Sequence, residues 1–340
     1  MRLYTTGTCA ALPKVTADLD AAIHAADKTA TTHRALMSNA RAMHLIETDE
    51  AMFEARRLPQ TCTVAAWNLE RCLDPEGSAA LLRQHEPDII LLSEMDCGMA
   101  RTAQRNTTRD LAQLLECGYA YGLEFHEMGL GSALEAQLAT DDFNAMGWHG
   151  NAIVTKAKPI ALALIRLDDH GHWFCANDGV DPGQPRIGGR VAVAAILPTQ
   201  SGHVCAVSAH LESAGSISIR QSQMDRIIAA VDQFAPDMPV IIGGDLNTGN
   251  NLDDPDDWSQ ETLFEAAKRQ GFSWDANASG PTTRASRLTR FPERAMKLDW
   301  FANRDCVGHS AKVIPALDAR GTPLSDHELI LAEFDCQIGS

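Results

Sequence analysis

The chain has 340 residues, with 29 basic against 45 acidic side chains and a formal charge of −16, a field that disfavours general nucleic-acid binding unless a local basic patch intervenes. Hydrophobic residues make up 45% of it, with no uninterrupted apolar run long enough to cross a bilayer. Nine cysteines, scattered without a CxxC pair, fit reduced thiols better than a disulfide frame or a thiolate zinc site.

The start, MRLYTTGTCAALPKVTADLD, lacks the basic-then-apolar design of a secretory signal and points to the cytosol. Residues 1–60 read as a helical extension, because Leu19, Ile23 and Ala26 recur at helical spacing and Leu36, Met37, Met43, Leu45 and Ile46 follow. His24, His33 and His44 in this stretch read as solvated or capping histidines. Arg56, Arg57 and Pro59 mark a boundary, after which residues 61–340 form the expected catalytic body.

Cys62 to Asn68 has the content of a strand and delivers Asn68 and Glu70 at its end. A helix over Glu76 to His85 is expected next. Pro87 to Glu94 is a continuous apolar run, the pattern of a strand buried on both faces, and ends on Ser93 and Glu94. An acid delivered there needs a cation or a partner, since desolvating it alone is costly. Arg101, Arg105 and Arg109, spaced by four, read either as an anion-facing stripe or as a solvated helical face.

Gly129 to Gly147 reads as a surface excursion, and His149 to Lys156 returns to strand character with Asn151 near its entrance. Asp168 to Gly189 reads as a long loop rimming a pocket. Arg190 opens an apolar strand to Leu197, and His203 to Leu211 brings His210 to its end. Ser216 to Phe234 has the stripe of an amphipathic helix.

Pro239 to Gly249 is the organising stretch: a buried strand meets two glycines and displays Asp245 and Asn247, either as a paired grip or as an Asx turn. Asp253 to Asp257 is an acidic turn without EF-hand spacing. A helix over Glu261 to Gln270 follows. Arg284, Arg287, Arg290 and Arg294 form the dense basic cluster, read as an anion guide or as an ordinary basic loop. Asp299 sits on a strand over Lys297 to Asn303, and Asp326 and His327 precede the final strand, where adjacent side chains diverge and suit separate duties.

Collected, these polar strand ends carry oxygen and imidazole donors without thiolates, which argues for Mg²⁺ or Mn²⁺ over closed zinc, and for phosphoryl hydrolysis. In order, WNLE, LLSE, GNAIVTK, SAHLES, GGDLNTG, KLDW and SDHELILAEF resemble the endonuclease/exonuclease/phosphatase family of DNase I-like metal-dependent phosphoesterases, over about residues 61–334. That resemblance implies a four-layer α/β/β/α sandwich of two mixed sheets. It also implies Glu94 as principal metal ligand with Asn68 and Asp326 near the cation, Asp245 positioning water, Asn247 on the phosphate, and His327 oriented by Asp299. His210 matches a second family histidine whose acidic partner the sequence does not reveal. Asn151, Arg190, Arg101 and Arg105 are expected to support the substrate phosphate.

The expected activity is Mg²⁺-dependent cleavage of a phosphodiester or phosphomonoester in a small molecule or lipid headgroup. A nuclease or abasic-site repair enzyme of the same fold, and a catalytically silent scaffold, are the alternatives.

Overall fold

In a computed structural model, residues 2–168, 170–176, 183–252, 258–289, 292–293 and 295–336 are described. The acidic turn Asp253 to Asp257, Arg290 and Arg294, and part of the Asp168 to Gly189 loop lie outside them. The elements in chain order are β1 (Gly7–Cys9), α1 (Ala17–Ala25), α2 (Ala30–Asn39), β2 (Leu45–Thr48), β3 (Thr61–Arg71), α3 (Pro75–Arg83), β4 (Ile89–Cys97), α4 (Thr107–Leu114), β5 (Gly118–Glu127), α5 (Ala133–Leu138), β6 (Trp148–Thr155), β7 (Ala161–Arg166), β8 (Arg186–Gly188), β9 (Val191–Thr199), β10 (Gly202–His210), α6 (Ile217–Phe234), β11 (Val240–Asp245), α7 (Leu263–Lys268), β12 (Asp299–Arg304), β13 (Val307–Ile314) and β14 (Leu329–Asp335).

The strands form two mixed sheets. The larger runs β1-β2-β5-β6-β4-β3-β14-β13 with β8 against β5, and the smaller runs β12-β11-β10-β9-β7. Each continuous apolar run is divided by the two-residue period of a strand. Val64 and Ala66, Ile89 and Leu91, Val191 and Val193, Val204 and Ala206, and Ile241 point into the space between the sheets. Their neighbours Ala65 and Trp67, and Ile90 and Leu92, pack outward under α2, α3 and α4. Val207, Val240 and Ile242 pack outward under α6 and α7. The result is the α/β/β/α sandwich.

Helix α6 shows why the outer layers hold. Met224, Ile227, Ile228, Val231 and Phe234 recur at helical spacing and are all buried. At about 2 kcal/mol per buried side chain, that stripe stabilises the layer by roughly 10 kcal/mol as an upper bound. Helix α3 starts where Asp74 caps the backbone of Gly77 at 2.8 Å and Pro75 takes the first helical position.

The expectation of a helical N-terminal extension is corrected in part. Besides α1 and α2 it supplies β1 and β2, and β2 pairs antiparallel with β5, extending the larger sheet. Short strands with mixed polarity carry little periodic signal, so they were hidden among helical spacings.

Candidate active site

Two sheets bring their polar ends to one place because the alternation that fills the inter-sheet core continues past it. Asn68 shares the face of Ala66, His210 that of Ala206, Asp245 that of Ile241 and Asp299 that of Phe301, all of which are inter-sheet core. In the smaller sheet, register sets His210 opposite Asp245 and Asp245 opposite Asp299. In the larger sheet the pairing of β3 slips between Asn68 and Arg71, and that of β4 between Leu92 and Met95. At these irregularities Glu70, Arg71 and Glu94 have φ of 45°, 76° and 58°, left-handed values that re-aim their side chains. Such residues cost about 1–3 kcal/mol each and persist where surroundings over-determine them.

Asp245 is the hub. Its Oδ2 accepts a hydrogen bond from Asn68 Nδ2 at 3.0 Å and lies 3.6 Å from Nε2 of both His210 and His327. His327 Nδ1 is 2.8 Å from Asp299 Oδ2. Burial opposes a charge on His327, yet the facing Asp299 and Asp245 carboxylates outweigh it and push its pKa well up, so it holds a proton. Burial also raises Asp299, against the pull of His327. The lead-in to β14 is stitched to β3 by Trp67 Nε1 donating to the His327 carbonyl at 2.9 Å and Ser325 Oγ donating to the Asn68 carbonyl at 2.6 Å. Asn247, at φ 52°, donates Nδ2 to the Leu211 carbonyl at 2.9 Å and its backbone N–H to Asp245 Oδ1 at 2.9 Å.

Beside this hub a cavity of about 330 Å³ is lined by Glu70, Glu94, Asp326, His327, Arg71 and Arg284, among others. Burial first, then the facing Asp326, pushes Glu70 up to about 8. Burial likewise raises Asp326 to about 6, with Glu94 adding to it against the pull of His327. Burial would also raise Glu94, but its ion pair with Arg71 reverses this and holds it well below the usual carboxylate range. Glu70, Glu94 and Asp326 crowding one opening form a donor set for a hard cation. Asp245, Asp299 and His327 also offer ligand atoms within 4.8 Å of one another, although the Asp299–His327 hydrogen bond already occupies two of these groups. Glu70 stands at a strand end in the sequence, but its place in the cavity follows from the irregularity in β3, which local pattern does not show.

The acidic partner of His210 is Glu124, whose Oε2 lies 3.3 Å from His210 Nδ1. It comes from β5, a strand that lies outside the sequence motifs although Tyr119, Tyr121, Leu123 and Phe125 alternate in the two-residue period. Burial would raise Glu124, but His210 and Arg190 overcome it and hold it at about 2. Arg190 Nη1 is 2.9 Å from Glu124 Oε1 and from His210, and its Nε is 3.3 Å from Glu212. Arg190 therefore backs the His210 pair instead of lining the cavity. Asn151 is fully buried, donating Nδ2 to the Val191 carbonyl at 2.8 Å across the sheets.

The expected arginine stripe is corrected. Arg101 lies in a 3₁₀ turn, Arg105 in the following turn and Arg109 in α4, so they share no helix face. Arg101 is buried among Asp96, Glu127 and Glu135, and Arg105 pairs with Glu76 and Asp110. Their charges are already met by carboxylates, and neither lines the cavity. Within the Gly129 to Gly147 excursion, the short helix α5 carries Glu135, which pairs with both Arg71 and Arg101.

The sequence model of the endonuclease/exonuclease/phosphatase family matches residues 65–327. No curated protein matches the chain. Among solved structures, an endonuclease/exonuclease/phosphatase from Beutenbergia cavernae is 18% identical, with 83% of this chain and 72% of that one covered and a TM-score of 0.59. One from Bacteroides vulgatus is 16% identical, with 82% and 99% covered and a TM-score of 0.53. A conserved protein of unknown function from Enterococcus faecalis is 16% identical, with 81% and 100% covered and a TM-score of 0.53. At these identities the structures attest a shared fold. The family match runs from β3 to His327, through every strand end that meets at Asp245, and the chain belongs to the endonuclease/exonuclease/phosphatase family.

Proposed function

We propose that the protein is a phosphoesterase that depends on a divalent cation, Mg²⁺ or Mn²⁺, and hydrolyses a phosphodiester or phosphomonoester in a small molecule or lipid headgroup. Family members are generally hydrolases of phosphoester bonds. The observation that carries the proposal is the meeting of Asn68, His210 and His327 at the Asp245 carboxylate, with Asp299 behind His327, beside the Glu70, Glu94 and Asp326 opening.

The donors fit a hard divalent cation: carboxylate oxygens face the cavity, and no cysteine is among the described residues that line it. Glu94 and Asp326 would hold the ion, with Glu70 and the Asn68 amide nearby. When bound, the cation supplies neutralisation of the phosphate oxygens. Asp245, fixed by Asn68 and set between two imidazoles, orients or deprotonates the attacking water. His327, kept protonated by Asp299, stabilises charge gathering on the phosphoryl oxygens, and the second amide hydrogen of Asn247 adds a donor. His210, paired with Glu124 and backed by Arg190, delivers a proton to the leaving oxygen. A cytoplasmic location belongs to this proposal. Among the described residues no helix is long and apolar enough to cross a membrane.

The test is turnover of generic phosphate esters with Mg²⁺, then with EDTA, then in Glu94→Ala and His327→Ala proteins. Chelation abolishes turnover and each variant reduces it at least a hundredfold; turnover that survives all three sinks the proposal. A nuclease of the same fold is the alternative, favoured by Arg284 at the cavity, although Arg284 is paired with Glu328 at 3.3 Å. Salt-dependent gel shifts with oligonucleotides would favour it.

A further inference from the structure

Behind the phosphoryl site lies a second, larger cavity, of about 760 Å³, within the range of small-molecule sites. The segment leading into β12 separates the two. Met296 and Leu298 line the cavity beside His327, whereas Ala295 and Lys297 line the larger one. Its wall is aromatic. Trp258, Phe264 and Trp300 meet edge-to-face with centroids 4.8 to 5.5 Å apart, and Trp274 joins Phe264 at 4.8 Å. The indole N–H groups of Trp300 and Trp274 are spent inward, on Thr248 Oγ1 at 2.9 Å and on the Phe264 carbonyl at 3.2 Å, which leaves their rings as apolar surface. Trp258 stands at the rim, 37% exposed.

Among the described residues, the charge at this wall is unbalanced. Lys268 is neutralised by Glu265 at 2.6 Å. Lys297, half-buried, places Nζ 4.1 Å from the Trp300 ring centroid and donates to the Ala278 carbonyl at 2.5 Å, and among the described residues it has no carboxylate partner. In a chain of net charge −16, a cation held in a partly desolvated aromatic wall with no counter-charge among the described residues is an uncommon expense. An anion supplies the missing partner, and stacked or edge-on ring surface suits a planar ring more than a flexible chain.

We infer that this cavity is a binding site for a small planar aromatic anion, its ring against Trp258, Trp274 and Phe264 and its negative group on Lys297. The site is separate from the phosphoryl chemistry and does not depend on it.

The probe is anilinonaphthalene sulfonate, an aromatic sulfonate, titrated into the full-length protein and read by energy transfer from tryptophan. Saturable binding at one site per chain is expected. Lys297→Gln and Trp258→Ala each raise Kd at least fivefold, and Lys297→Arg restores it to within twofold of the parent. Near-UV circular dichroism of each variant checks that the aromatic cluster is intact, and the Lys297→Arg protein keeps the test decisive should Trp258→Ala perturb folding. Octyl sulfate, an aliphatic anion of the same charge, competes at least tenfold more weakly. Unchanged Kd in Lys297→Gln, or octyl sulfate competing as well as the aromatic sulfonate, overturns the assignment. Binding is scored without turnover, so loss of the phosphoesterase proposal would leave this result intact.

Discussion

The loop that carries Asn247 is held by one fully buried ion pair. Arg220 on α6 and Glu261 are both 0–2% exposed, with Arg220 Nε 2.9 Å and Nη2 2.5 Å from Glu261 Oε1. The same guanidinium donates to the carbonyls of Gly215 at 2.8 Å and Asn250 at 3.0 Å, and Glu261 Oε1 accepts the Gly249 N–H at 2.9 Å. Asn250 Nδ2 in turn donates to Asn247 Oδ1 at 2.7 Å. In Arg220→Met the hydrocarbon volume is nearly kept, but Glu261 is left buried without its charge partner and the Asn250 and Gly215 carbonyls lose their donor. Breaking a buried pair from one side costs about 3–5 kcal/mol. With a urea slope of about 3 kcal/mol per molar, the unfolding midpoint falls by roughly 1–1.7 M. Because the uncompensated charge causes most of the loss, Arg220→Met/Glu261→Gln recovers at least half of it, a coupling read by a double-mutant cycle. Phosphoesterase turnover falls in the single variant as Asn247 loses its support. A loss under about 1 kcal/mol in Arg220→Met, or a double variant no more stable than the single one, refutes the reasoning.

Glu124→Gln keeps the shape of the His210 partner but removes its charge; kcat on phosphate esters falls about 10- to 100-fold, consistent with a lost charge-assisted hydrogen bond of roughly 1.5–3 kcal/mol, and steady-state kinetics check it. Acid sensitivity follows from Glu124 and from Glu135, where burial would raise the carboxyl but Arg71 and Arg101 hold it at about 2. Both folded values lie below the unfolded value of about 4.3, so their stabilisation is fully present above that pH and is lost as pH falls towards 2. Urea midpoints at pH 5, 4 and 3 should decline steadily, and less steeply in Glu135→Gln. Gly244 has φ 145°, and a Cβ there would meet the Ala209 carbonyl oxygen at 2.0 Å. Gly244→Ala therefore destabilises by roughly 1–3 kcal/mol and displaces Asp245, measured by thermal melting and by a drop in turnover.

Which polar groups flank the buried strands is readable from the chain alone. Asn68, Glu94, His210, Asp245 and Asn247 stand where an apolar run gives way to polar residues, and Asp299, Asp326 and His327 stand just where one begins, so all are legible as polar flanks of strands, a local signal. The outer helix α6 was legible for the same reason, its stripe needing no partner to be recognised. What pairs with what was decided by tertiary structure. Glu124 lies 86 residues before His210 and reaches it only because β5 and β10 end up in facing sheets. Arg101 and Arg105 looked free to meet a phosphate, since local spacing is silent about Asp96, Glu127, Glu135 and Glu76 arriving from other segments. The strands β1 and β2 carry no local signal because a three- or four-residue strand is stabilised by its neighbour's backbone and not by its own periodicity. Continuous apolar runs announce burial, but only the packed sheets assign alternate side chains to the inner or outer core, and that assignment is what turns Asn68, His210, Asp245 and Asp299 towards one another.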